Sequence, residues 1–143
     1  MLPQPQSAQT VKVWDIWVRI THWAVSAGIF VNLIVTEGGS DVHEYMGYAV
    51  VALVVSRLLW GLVGSQYARF SNFFPTPTRI REHMTDIKQH KFHGHLGHNP
   101  LGALMMFALW GVIIALGVTG YLQTTDQFWG DDSIQTIHEF LAN

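Results

Sequence analysis

Apolar residues in this chain do not alternate with polar ones at a helical or strand interval; they gather into three nearly unbroken runs. The first, Ile16–Val35, carries two ionisable side chains, Arg19 and His22. The second, Tyr45–Val63, holds one cation, Arg57, and the third, Leu101–Leu122, holds no charge. Each run is close to the roughly 20 residues that a helix needs to cross a bilayer. A soluble core can absorb one such segment. Three leave no polar faces from which to build a water-facing surface, so the pattern predicts an all-α transmembrane helical bundle. The predicted spans cover about 16–36, 44–64 and 100–122, with the start of a fourth helix at 133–143.

Local punctuation agrees with these limits. Gly38-Gly39-Ser40-Asp41 ends the first helix and offers an N-cap to the second. Asn99-Pro100 opens the third, with proline in the first turn where its missing N–H costs nothing. Asp132-Ser133 offers a cap to the last helix, and Pro75 and Pro77 interrupt the long connection between the second and third runs. Residues 1–12 are polar, hold Pro3 and Pro5 and lack periodicity, so they are expected to form a disordered tail. The first run is too long for the apolar part of a signal peptide and no basic segment precedes it.

Charge orients the bundle. Five of the eight Lys/Arg (Arg69, Arg79, Arg81, Lys88, Lys91) lie between the second and third runs, whereas 37–44 and 123–143 carry acidic residues and no Lys or Arg. The positive-inside rule then puts the basic loop and the N-terminus in the cytoplasm. A net charge of −2 gives no reason to expect a nucleic-acid partner. The absence of cysteine excludes disulfides, thiolate metal sites, iron–sulfur clusters and covalent c-type haem within this chain.

Eight histidines form two groups. His83, His90, His93, His95 and His98 belong to the basic loop; His22, His43 and His138 sit in or at the mouths of apolar helices. An ionisable residue in a span is a functional candidate by default. His43 and His138 each begin a helix at the same side of the membrane, so they share a depth. His22 lies about 20 Å away, counting residues to Thr36 at 1.5 Å each. Two imidazoles at one level suit a six-coordinate metal with two axial ligands. Ser26, Gly47 and Ala142, each four residues after one of these histidines, are small enough to let a flat group approach the backbone.

The chain resembles the bacterial cytochrome b561 and nickel-hydrogenase cytochrome b family. The resemblance rests on VWDIWVRITHW, HEYMGY, SRLLWGLVGSQYARFSNF, GHNPLGALMM leading to LGVTGY, and IHEF, which occur in that order. It implies a four-helix membrane protein holding two haems b through histidine pairs. Carried onto matching positions, His43 and His138 hold the periplasmic haem, and His22 is the first-helix ligand of the haem near the cytoplasmic face. The family's second ligand to that haem lies late in the fourth helix, beyond the last residue here, so the chain is expected to be a fragment unless His98 substitutes. Arg19 and Arg57 lie at the cytoplasmic ends of their helices; each can pair with a haem propionate or snorkel to the headgroups.

The expected role is an electron-transfer subunit of a respiratory oxidoreductase rather than a stand-alone catalyst. Bis-histidine iron has no open position, which favours electron transfer over small-molecule chemistry. The family implies exchange with quinone or quinol in the lipid, and with a periplasmic c-type cytochrome, a hydrogenase or another reductase. Two other classes remain: a metal-binding or metal-transporting membrane protein using His90, His93, His95 and His98, and a haem-free anchor subunit.

Overall fold

The computed structural model describes residues 13–91 and 98–143. The expected N-terminal tail, and His93 and His95 of the loop, lie outside the described residues. Every regular element described is a helix: α1 (Ile16–Ile34), α2 (Asp41–Val63), α3 (Phe70–Phe73), α4 (Pro77–Lys88), α5 (Pro100–Gln123) and α6 (Asp132–Ala142).

The long helices start where a short polar side chain can satisfy first-turn amides. Asp15 accepts from the Val18 amide, Ser40 from that of His43, and Asn99 from that of Gly102. Asp131 caps α6, one residue earlier than the sequence suggests, because its carboxylate reaches the amides of both Ser133 and Ile134. The α1–α2 turn passes through Gly39 at φ 78°, a left-handed conformation that costs glycine little.

The loop is more ordered than its prolines suggest. Pro75 does break the chain, but Pro77 opens α4, with Thr76 accepting from the Arg79 amide. At the far end of α4, the Lys91 amide donates to Asp86 and the His90 amide to Ile87, while His90 itself sits at φ 56°. That is a Schellman closure with histidine in the place glycine usually takes.

Packing runs in the order α1, α2, α5, α6. Gly28 of α1 lies against Val50 of α2, and Gly117 of α5 against Val51, so neighbouring valines on α2 face different helices. Small residues at both crossings let the backbones approach closely, the usual device between membrane helices. α6 packs on α5, and its partly buried residues, Ile134, His138, Leu141 and Ala142, share one helical face. α6 makes no comparably close packing with α2.

The outside of the bundle is apolar. Trp23, Leu62, Val63, Met105, Leu109 and Phe140 are all more than half exposed, a surface suited to lipid rather than water. α2 and α5 are long and apolar enough to cross a membrane, with mean hydropathies of 1.9 and 2.4 in their most apolar stretches. α1 is not in that group by composition, since it carries Arg19, His22 and Asn32. Its 19 residues still reach about 28 Å at 1.5 Å each, near the roughly 30 Å of a hydrocarbon core.

Candidate haem site

His43 enters the bundle in the first turn of α2, where the Ser40 hydroxyl accepts from its backbone amide at 3.2 Å. His138 lies on the inward face of α6. The two rings meet with centres 6.3 Å apart and planes inclined by 66°. Metal–imidazole bonds are about 2.0–2.1 Å, and a ring nitrogen lies roughly 1.2 Å from its ring centre, so two imidazoles on opposite sides of one metal have centres about 6.4 Å apart. The observed spacing therefore fits a single metal between the rings and is too wide for a direct hydrogen-bonded pair.

The surroundings fit a flat group as well. A Cβ added at Gly47 would meet only the Asn32 amide within 4 Å, at 3.7 Å, so the face of α2 one turn beyond His43 is open. On the other side Gly120 lets α5 come close to His138: a Cβ there would lie 3.2 Å from Cε1 of the ring. The two Nδ1 atoms are already engaged. Thr36 Oγ1 lies 3.2 Å from His43 Nδ1 and Thr119 Oγ1 lies 2.8 Å from His138 Nδ1. The nitrogens left for a metal are the two Nε2 atoms.

The other sequence candidates are dispersed. His22 is exposed, with its ring edge-on to Trp23 at 5.6 Å. Arg19 is also exposed. Arg57 is 4% exposed, its guanidinium directed at the Ala68 carbonyl at 3.4–3.5 Å and 5.5 Å from the Trp110 ring centre. His98 is wedged between Trp14 and Phe73, at ring distances of 4.6 and 4.9 Å. Its Nδ1 is buried without a hydrogen-bond partner among the described residues. Burial, with the charges of Arg57 and His22, holds the His98 imidazole below its ordinary pKa. Among the described residues no group of three or more His, Asp or Glu side chains is placed to hold a metal ion.

Three residues of consequence were not singled out in the sequence. Thr36 and Thr119 are lone hydroxyls at the end of one apolar run and inside another, where a polar side chain asks for a partner. Asp15, in VWDIW, accepts from the indole N–H of Trp60 at 2.9 Å and from the Ser65 hydroxyl, tying the start of α1 to the end of α2.

A helical membrane bundle with two imidazoles set apart by one metal's width, and no thiolate to attach a porphyrin, defines the class of b-type cytochromes. The chain belongs to the prokaryotic cytochrome b561 family, whose model matches residues 13–143. It is 26% identical to a probable Ni/Fe-hydrogenase B-type cytochrome subunit of Bradyrhizobium diazoefficiens, over 78% of this chain and 57% of the relative. It is 24% identical to the protein of the same description in Azotobacter vinelandii, over 78% of this chain and 58% of that relative. The chain thus spans little more than half the length of these curated relatives. No solved structure matches it.

Proposed function

We propose that this chain is the membrane-embedded electron carrier of a respiratory oxidoreductase, with haem b held between His43 and His138. The observation that carries the reading is the 6.3 Å separation of the two rings, which suits one iron between their Nε2 atoms. Haem bound there supplies a one-electron redox centre closed to exogenous ligands. The chain's own residues bring the two imidazoles face to face, with Gly47 and Gly120 leaving room at the backbone on either side.

The proposed spans are α1, α2 and α5, with α6 entering the bilayer beside α5. Arg79, Arg81 and Lys88 of α4 are exposed and mark the cytoplasmic headgroup level of a bacterial inner membrane. His43 and His138 then lie near the periplasmic side. Electrons pass between quinone or quinol in the lipid and a periplasmic partner. A hydrogenase is the first partner to test, because the relatives are described as hydrogenase cytochrome subunits. His22, deeper along α1, is the ligand of a second haem in the full family pattern, and Arg19 is close enough along the helix to meet a propionate of that haem. Arg57 is in the same region but is already engaged with Ala68 and Trp110.

The test is spectroscopic. The purified protein is expected to show a sharp reduced α band, and pyridine should extract the haem completely. His43→Ala and His138→Ala should each abolish the band of this centre. A haem that stays covalently attached, or an unchanged spectrum in either variant, overturns the assignment.

A further inference from the structure

Both facing histidines meet a threonine through the same ring atom. A hydroxyl beside an imidazole nitrogen can turn its proton toward the ring or away from it, so distance alone leaves the tautomer open. Here each hydroxyl proton has another acceptor at good distance. Thr36 Oγ1 donates to the Asn32 carbonyl at 2.8 Å, with the Asn32 side-chain oxygen at 3.0 Å. Thr119 Oγ1 donates to the Ala115 carbonyl at 2.9 Å, with that of Leu116 at 3.2 Å. A threonine hydroxyl has one proton and two lone pairs, and in a helix the i−4 carbonyl takes the proton. Lone pairs therefore face the rings, and Nδ1 must be the donor. The same arrangement arises twice, once at the end of α1 and once in α5.

We infer that Thr36 and Thr119 are positioning residues that hold His43 and His138 as Nδ1–H tautomers, with both Nε2 lone pairs presented to the iron. This rests on the haem reading above. The threonines set the rotation of each ring before the metal arrives. By accepting from Nδ1–H they also raise the electron-donating power of the ligand, which favours the oxidised metal.

Thr36→Val and Thr119→Val remove the acceptor at nearly unchanged shape; Thr36→Ser and Thr119→Ser retain it. Each valine variant is expected to lose roughly tenfold to a hundredfold in haem affinity. In the haem that remains, the midpoint potential should move in the positive direction. The serine variants should return both quantities toward wild type. Wild-type affinity and potential in the valine variants overturn the inference. So does haem loss with an unchanged potential that serine fails to restore, which is the signature of packing alone.

Should the valine variants not fold, nitrogen-15 NMR of histidine-labelled wild-type protein without haem decides the matter. Protonated Nδ1 at both histidines supports the inference, and protonated Nε2 overturns it. Haem that survives in the His43→Ala variant defeats the haem reading instead, while the NMR result on the wild-type protein still stands for the threonines.

Discussion

Asp15 and Trp60, 45 positions apart, are joined by a 2.9 Å hydrogen bond from the indole N–H to the carboxylate. The same carboxylate caps α1 through the Val18 amide and accepts from Ser65 just past the end of α2. One side chain thus starts one helix and fastens it to the end of the next.

Burial pushes the Asp15 carboxyl up, but the bonds from Ser65, Val18 and Trp60, with the charge of Arg57, outweigh it and leave the group below its usual range. A carboxylate whose folded pKa is depressed stabilises the fold above its unfolded pKa, and that stabilisation disappears as pH falls through the folded value. Asp15→Ala is expected to cost about 0.5–2 kcal/mol from the cap, read by thermal unfolding in detergent at pH 7. The difference from wild type should shrink below about pH 3.8. A difference that persists undiminished at low pH would show that the carboxylate charge is not its source.

Gly120 and Gly111 lie on the same helix and should behave oppositely on substitution. A Cβ at Gly120 comes within 3.2 Å of the His138 ring, whereas at Gly111 nothing lies within 4 Å. Gly120→Ala is expected to displace the ring by a few tenths of an ångström, broaden the α band and lower haem content. Gly111→Ala should leave the spectrum untouched. Equal spectra in both variants would mean that α5 does not set the position of His138.

His98 offers a pH test away from the paired histidines. Its depressed pKa comes from burial first, then from the charges of Arg57 and His22. A histidine buried neutral stabilises the fold above its unfolded pKa of about 6.5 and loses that contribution on acidification. The wild-type protein should therefore lose stability between pH 7 and 5, and His98→Gln should flatten that fall. The band assigned to His43 and His138 should be unchanged in the variant. Its loss would make His98 a haem ligand.

His90 closes α4 in a left-handed conformation, at φ 56°. An L side chain there costs roughly 1–2 kcal/mol that glycine avoids. His90→Gly is expected to raise the unfolding temperature by a few degrees without affecting haem. Destabilisation would show that the imidazole contributes something the backbone does not reveal.

Much of this protein is legible in one dimension because the bilayer imposes a simple rule: helices must be long, apolar and capped. The limits of α2 and α5 follow from their apolar runs and from Ser40 and Asn99, which lie beside the amides they satisfy. The depths of His43 and His138 follow from where their helices begin. α4 was hidden because proline both ends and starts helices, and only the structure shows that Pro77 starts one. The partners of the functional side chains were hidden for a different reason. Whether Thr119 meets His138, or Asp15 meets Trp60, depends on the rotation of each helix about its axis and on which helices pack together. An apolar run surrounded by lipid has no single polar face to declare that rotation. Close contacts at Gly28, Gly117 and Gly120 set it, and those exist only once the helices have met.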